Sequence, residues 1–375
     1  MADHALLSPS SSARWISCPP SARLCESIEE ETSSFAQEGT DAHALCEYKL
    51  NKALGNEAVD PRPELEFYNE EMESCADEYA LYVMQVYHQM KDDGADPLIA
   101  IEAKLDISSY VPECSGTGDC IIVSDGKLHI IDFKYGRGVL VEADHNTQMM
   151  LYALGALGMF SSLYEIEDIA MTIFQPRLSN ISTFEMKRED LENWANQVLK
   201  EKAQLAFEGG GEFCSGSHCR FCKVRSTCRE RANANLSLAR YEFAKPPLLD
   251  DTEISAILIQ AEELASWVAD LRGYAFSVLI GGGHIDGFKL VEGRSARTYT
   301  DEEAVAKAVK EAGFDPYEHK VLGITAMMAL LGKSRFNELL TPFVFKPRGK
   351  PTMAPSSDKR PEMIIGKQDF MEETT

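Results

Sequence analysis

Long apolar runs are missing from this sequence. No stretch reaches the roughly 18 consecutive apolar residues that a membrane-spanning helix needs. The first residues, MADHALLSPSSSARW, also lack the basic region and apolar stretch of a secretory signal. We therefore expect a cytoplasmic protein that has no membrane partner.

Positive charge is scarce. The chain has 37 Lys and Arg against 60 Asp and Glu, a formal net charge of -23. Phosphate binding rests on Lys and Arg, so this balance excludes a protein that coats nucleic acid through a basic surface. The richest local exception is RFCKVRSTCRER, which is either a solvated charged loop or a basic track for DNA. Its basic residues are Arg220, Lys223, Arg225, Arg229 and Arg231.

Internal repeats are also absent, and 375 residues exceed the usual size of one domain. We predict a first domain over residues 1–240, a mostly helical region over 241–345, and an extended tail over 346–375. The tail is rich in Pro, Lys and Ser, and its basic residues from Lys346 to Arg360 offer an alternative path for DNA.

The first domain shows an ordered pattern of helices and strands. Apolar spacing predicts helices at 34–50 and about 70–91, and then strands in PLIAIEAKLDI and on both sides of Asp125-Gly126. A helix at about 145–160, a strand at 168–176 and a helix at about 189–207 follow. This αβββαβ order predicts an α/β fold, of the α+β kind, with a mixed sheet flanked by helices. Farther along we expect a helix at 251–280, a short strand in FKLVEG and two more helices.

The dipeptide Asp125-Gly126 is typical of a two-residue hairpin turn. If Ser124 faces Lys127, counting back in steps of two brings Asp119 opposite Asp132. Cross-strand partners share a face of the sheet, and Lys134 points to that same face. An exposed hairpin with scattered charges is the plainer alternative, but the apolar residues on this face favour a site beside a buried surface.

Two facing carboxylates repel each other unless a cation lies between them. Mg²⁺ prefers oxygen ligands and is commonly held by one or two carboxylates together with substrate phosphate. The pattern therefore predicts a divalent metal, Mg²⁺ or Mn²⁺, at Asp119 and Asp132. Such a site suits phosphodiester hydrolysis, in which Lys134 steadies the nucleophile or the transition state.

Four motifs in order resemble a known family. Gly39-Thr40-x-x-His43-x-x-x-Glu47, Gly116-x-x-Asp119, Asp132-Phe133-Lys134 and Gln148-x-x-x-Tyr152 are similar to the successive motifs of RecB/AddB-like nucleases of the PD-(D/E)XK superfamily. The whole chain also resembles an uncharacterised phage-borne protein family.

The resemblance implies a restriction-endonuclease-like core and a role for each motif residue. His43, Asp119 and Asp132 would hold the metal, Lys134 would be the catalytic lysine, and Gln148 and Tyr152 would orient the substrate or the lysine. Arg137, in the loop just after Lys134, would meet the same DNA backbone as Arg220, Lys223, Arg225 and Arg229.

Three cysteines at Cys219-x₂-Cys222-x₅-Cys228 have the close spacing of metal ligands and need a fourth. Cys214 would complete a local zinc site, whereas Cys18 would tie the N-terminal segment to the end of the first domain. The resemblance favours Cys18 and a [4Fe–4S] cluster, because related nucleases have one cysteine ahead of the histidine motif.

We therefore expect a phage or prophage DNA exonuclease in the cytoplasm of a bacterial host, acting in recombination or replication. Its partners would be DNA and a phage recombination or single-strand-binding protein. Two alternatives stay open, a non-catalytic DNA-recombination adaptor and a zinc-stabilised interaction protein.

Overall fold

A computed structural model describes residues 5–28, 34–236, 251–291, 301–311, 316–317, 321 and 323–344. It separates into two compact units, Met1–Ala275 and Phe276–Thr375. The predicted domain boundary near residue 240 and the predicted tail over 346–375 lie outside the described residues.

The first unit is built around one sheet of five strands in the order β1-β2-β3-β4-β5. All neighbouring strands are antiparallel except β3 and β4, which run parallel and are joined through helix α5. The mixed sheet predicted from the sequence is confirmed. The strands are β1 (Leu98–Asp106), β2 (Ser115–Ser124), β3 (Gly126–Phe133), β4 (Ile166–Gln175) and β5 (Asn180–Lys187).

Helices cover both faces of the sheet in the first unit. The helices that begin in this unit, among the described residues, are α1 (Ser12–Ser17), α2 (Ser21–Glu26), α3 (Ser34–Ala53), α4 (Glu70–Asp92), α5 (Thr147–Phe160), α6 (Arg188–Trp194), α7 (Lys200–Glu208), α8 (Arg229–Leu236) and α9 (Asp251–Ile280). Helix α9 runs past the division between the units. A π-helical turn over Ala195–Leu199 joins α6 to α7, so the predicted helix at 189–207 is present but interrupted.

Two apolar cores form, one on each face of the sheet. The α5 core contains α5 and residues of α1, α6 and α7, which pack on Ile121, Val123, Leu128 and Ile130. The α3/α4 core contains residues of those two helices, which pack on the opposite face at Cys120, Ile122, Ile131 and Phe133. The alternation of side chains along β2 and β3 explains this division, because successive residues of a strand point to opposite faces.

The second unit contains α10 (Glu302–Glu311), α11 (Ile324–Leu331) and α12 (Lys333–Leu340) among its described residues. The predicted strand in FKLVEG is not formed at residues 288–291, which have no regular structure, and its last two residues lie outside the described ones.

Candidate metal and catalytic site

The β2–β3 hairpin places the two aspartates as predicted. Ser124 pairs with Lys127 and the ladder runs back to Cys120 opposite Ile131, so Asp119 and Asp132 follow at the next position. An oxygen of Asp119, Oδ2, accepts a hydrogen bond from the backbone N–H of Phe133 at 2.7 Å. Asp132 is only 2% exposed. The hairpin therefore holds two carboxylates side by side in a largely dehydrated place.

Lys134 leaves the end of β3 with its backbone N–H bonded to the carbonyl of Phe174 at 2.9 Å. Its ammonium lies 2.9 Å from Oδ2 of Asp132. Burial lowers the pKa of Lys134, but the charges of Asp132 and Asp119 outweigh it and raise that pKa above its usual range. The lysine is therefore a fixed cation.

Helix α5 presents Gln148 and Tyr152 to this lysine. The side chain of Asn146 accepts from the N–H groups of Gln148 and Met149 and so caps the helix at this point. Oε1 of Gln148 accepts from the Lys134 ammonium at 3.2 Å, and Nε2 lies 3.4 Å from Oδ1 of Asp132 and 3.2 Å from the Tyr152 hydroxyl. Gln148 thus bridges the lysine, the carboxylate and the phenol.

Gly116 of the second motif has a packing role. A Cβ at this position would lie 2.8 Å from Cε1 of Tyr152 and 2.9 Å from Cγ of Pro9. The missing side chain therefore lets the tyrosine ring approach β2.

Helix α3 supplies His43 from the other face of the sheet. Its Nδ1 lies 3.4 Å from Oδ2 of Asp119, and its ring packs edge-on against Phe133 with centroids 5.5 Å apart. Burial lowers the pKa of His43, but the neighbouring Asp119 charge more than compensates and raises it.

The two aspartates are electrostatically unequal. Burial alone would raise the pKa of Asp119, but the His43 imidazole and the Phe133 N–H lower it below the usual value. Burial, together with the charge of Asp119, raises the pKa of Asp132 in spite of Lys134. Without a bound cation, Asp119 holds the negative charge more readily than Asp132 does.

Glu102 of β1 is a site residue that the sequence analysis missed. One ligand atom each from His43, Glu102 and Asp119 lie within 4.8 Å of one another. Burial and the charge of Asp119 raise the pKa of Glu102 to about 7. Its position inside an apolar strand, IAIEAKL, was the available signal.

Cys18 and the cysteines of the 214–228 segment line one small cavity in the first unit. The lining cysteines are Cys18, Cys214, Cys219, Cys222 and Cys228. Cys18, Cys219 and Cys222 are buried, whereas Cys214 is exposed. Among the described residues, no three of these sulfurs lie within 4.8 Å of one another.

Two further residues adjoin that cavity. The sulfur of Cys25 lies 3.8 Å from that of Cys222, although the sequence analysis did not single it out. His218 bonds to the carbonyl of Cys214 at 2.9 Å, and its contacts with Cys18 and Cys219 raise its pKa to about 10.

The predicted DNA-binding residues have different surroundings. The Arg137 guanidinium pairs with Glu71, and Arg225 forms a 2.9 Å ion pair with Asp270. Lys223 bonds to the carbonyl of Ile28 at 2.8 Å. Arg220 lies 3.4 Å from the carbonyl of Gly138, and Arg229 is exposed. The Arg220 contact brings the cysteine segment to the loop that follows Lys134.

Among the described residues, no helix is both long enough and apolar enough to cross a membrane.

The structure defines the class of protein as a mixed α/β fold. At the end of a hairpin it brings carboxylates, an imidazole and a lysine together. The chain belongs to the family described as "Protein of unknown function (DUF2800)", whose model matches residues 4–361. A solved structure described as "Crystal structure of SSO0001" is 15% identical. That match covers 50% of this chain and 95% of the other, with a TM-score of 0.23.

Proposed function

We propose that this protein is a metal-dependent DNA nuclease, a phosphodiester hydrolase of the PD-(D/E)XK superfamily that resembles the RecB/AddB-like members. The observation that carries the proposal is the convergence of Asp119 and Asp132 with Lys134, whose ammonium is 2.9 Å from Asp132. A buried pair of like charges destabilises a fold, so a purely structural role explains it poorly.

The donor set fits a divalent cation. Asp119 and Asp132 offer carboxylate oxygens and His43 offers a ring nitrogen 3.4 Å from Asp119, while Asp132 is only 2% exposed. A bound Mg²⁺ or Mn²⁺ would supply a water of lowered pKa and neutralise charge on the phosphate. His43, Asp119 and Asp132 are the residues that would hold it.

The remaining side chains act on the substrate. Lys134 keeps its proton because two carboxylates raise its pKa, so its ammonium can stabilise negative charge that builds on a phosphate oxygen. Gln148 holds this ammonium through its Oε1 and is itself positioned by Tyr152. The chain thereby orients a cation next to the carboxylates, where it does not have to reorganise during the reaction.

DNA would approach along the side of the site that carries Arg220, because this guanidinium reaches the 136–138 loop. Exonuclease action in phage recombination or replication, with a phage recombination or single-strand-binding protein as partner, is part of the proposal and rests on the resemblance of the motifs.

The same proposal includes a [4Fe–4S] cluster held by Cys18, Cys219, Cys222 and Cys228. These four cysteines line one cavity, and the donor set of four thiols suits such a cluster.

Digestion of labelled DNA with Mg²⁺ or Mn²⁺ tests the nuclease function. Asp119→Ala, Asp132→Ala and Lys134→Ala should each reduce cleavage by about 10²–10³-fold or more, since each removes a group that stabilises the transition state. Lys127→Ala changes a lysine at the opposite end of the same strand and should leave cleavage unchanged. Wild-type digestion by all three site variants, or none by the wild-type protein, would refute the proposal.

A further inference from the structure

Glu102 lies where a metal ligand would lie, although none of the four sequence motifs includes it. We infer that Glu102 is a further carboxylate ligand of the divalent cation, together with His43 and Asp119. This inference rests on the proposed metal-dependent function and adds a residue from β1 to its site. The first observation is the distance, because the three ligand atoms lie within 4.8 Å of one another.

That spacing suits one ion. Ligands at about 2.1 Å from Mg²⁺ lie about 3 Å apart when adjacent and about 4.2 Å apart when opposite. The 3.4 Å between Nδ1 of His43 and Oδ2 of Asp119 falls in this range. One imidazole and two carboxylates also form a donor set that Mn²⁺ accepts.

A second observation comes from the backbone of β1. Glu102 has φ of 48°, in the left-handed region that residues other than glycine seldom adopt. This conformation is strained and persists only where the surrounding structure requires it, which is often at functional sites. The strain lies in the middle of a strand, away from any turn.

At this strained residue, the apolar side chains of β1 change from one face of the sheet to the other. Ile99 and Ile101 pack in the α3/α4 core, whereas Ala103 and Leu105 pack in the α5 core. In a regular strand, residues 101 and 103 would share a face. The reversal therefore occurs at Glu102.

The side chains of β2 also change from one face of the sheet to the other, and they do so at Asp119, the residue opposite Glu102. A Cβ on Gly118 would meet Ile121 and Leu105, which belong to the α5 core, whereas Cys120 lies in the α3/α4 core. Pairing continues on both sides, with Ile101 opposite Cys120 and Ala103 opposite Gly118. Glu102 and Asp119 are thus the two facing residues at which both strands switch faces.

Two facing glutamate and aspartate side chains on neighbouring strands repel each other, as Asp119 and Asp132 also do. Among the described residues, Lys134 forms an ion pair with Asp132 but not with Glu102 or Asp119. A divalent cation between Glu102, Asp119 and His43 balances this charge and gives the strained backbone a function.

Binding of Mn²⁺ to the full chain in the absence of DNA tests the inference, by calorimetry and by the EPR signal of free Mn²⁺. Loss of groups that only support metal ligands typically weakens affinity about 10–100-fold. Glu102→Gln should therefore weaken Mn²⁺ binding by roughly tenfold or more. Glu102→Asp, which keeps the charge on a shorter side chain, should bind better than Glu102→Gln.

Glu113→Gln is the matched control. Glu113 is also a glutamate with a left-handed backbone, at φ of 54°, but it is exposed and lies in the β1–β2 connection. It should bind Mn²⁺ like the wild-type protein. Glutamine places the same demand on the backbone as glutamate, so Glu102→Gln should still fold. Thermal unfolding without metal checks this.

Wild-type Mn²⁺ affinity in folded Glu102→Gln would overturn the inference, and so would an equal loss in Glu113→Gln. The nuclease proposal is judged by DNA digestion in a separate experiment. Glu102-dependent Mn²⁺ binding without DNA cleavage would support the ligand and refute the nuclease. DNA cleavage with unchanged Mn²⁺ binding in Glu102→Gln would do the reverse.

Discussion

Two buried histidines near the sheet, His129 and His43, differ in how readily they take up a proton. His129 lies on β3, a few residues before Asp132, and the charge of Glu185 is too weak to offset the burial that disfavours its proton. Its Nε2 bonds to Oγ1 of Thr172 at 2.8 Å, and that hydroxyl contacts Thr183. Burial lowers the pKa of His129 to about 4, whereas His43 beside Asp119 has a raised pKa. The first unit therefore holds a neutral histidine on β3 and, on α3, a histidine that favours its proton.

Stability should depend on pH through His129. The unfolded state takes up a proton below about pH 6.5, but the folded state refuses it until about pH 4. Stability is therefore intact above about pH 6.5 and is lost as the pH falls toward 4. The loss due to this residue is about 2–3 kcal/mol by pH 4.5, since each pKa unit corresponds to about 1.4 kcal/mol.

His129→Gln removes this titration while leaving an amide to bond Thr172. Urea unfolding of both proteins at about pH 7 and about pH 4.5 measures the difference, because other acid-sensitive groups act equally in both. An equal loss of stability in the two proteins would contradict the prediction.

Among the elements, the hairpin, helix α5 and the existence of β1 could be predicted well, whereas the change of face within β1 and the strand β5 could not. Asp125-Gly126 specifies a turn chemically, so the register that brings Asp119 to Asp132 follows from counting. The face reversal at Glu102 depends on which core each neighbour joins, and this is tertiary information. β5 was missed because ISTFEMK is a half-exposed edge strand with weak apolar alternation.

Helix α5 lies unusually close to β1 at Gly155. A Cβ there would be 2.8 Å from Cβ of Leu105 and 3.1 Å from Cγ1 of Ile107. We expect Gly155→Ala to lower the free energy of unfolding by about 1–3 kcal/mol through overpacking. It should also slow DNA cleavage, because α5 carries Gln148 and Tyr152.

Gly158 provides the control on the same helix, since a Cβ there would meet nothing within 4 Å. Gly158→Ala should stabilise the protein by about 0.5–1 kcal/mol, because alanine favours helix more than glycine does. Chemical unfolding and digestion rates measure both effects. The close approach of α5 would not matter if the two variants behaved alike.

In the whole molecule, the net charge opposes DNA binding, whereas a local group of basic residues favours it. A chain with a net charge of -23 repels DNA over most of its surface. Arg137 and Arg225 already pair with acidic residues, so they neutralise phosphate less freely than the sequence suggested. Arg220, at the loop that follows Lys134, remains the best-placed basic residue of the predicted track. The ion pairs of Arg137 and Arg225 could not be read from the sequence, because their partners Glu71 and Asp270 are distant in the chain.

The cavity lined by cysteines connects parts of the first unit that are far apart in sequence. The backbone N–H of Cys214 lies 3.5 Å from the sulfur of Cys18, 196 residues away. A centre that includes Cys18 would close a loop of about 200 residues, and closing so long a loop stabilises a fold by up to about 5 kcal/mol. A centre completed by Cys214 would close only a short local loop.

Cys18→Ser should therefore lose iron and lower the melting temperature by about 5 °C, because each kcal/mol corresponds to about 1–2 °C in a protein of this size. Cys214→Ser, at an exposed cysteine of the same cavity, should keep both the iron and the stability. The readouts are iron content, the UV–visible spectrum of anaerobically purified protein, and thermal unfolding. Iron retained by Cys18→Ser but lost from Cys214→Ser would mean that the centre is local and does not join the N-terminal segment to the cysteine segment. Zinc without iron in the wild-type protein would replace the cluster by a structural zinc site, and the order of the two variants would still show which cysteine completes it.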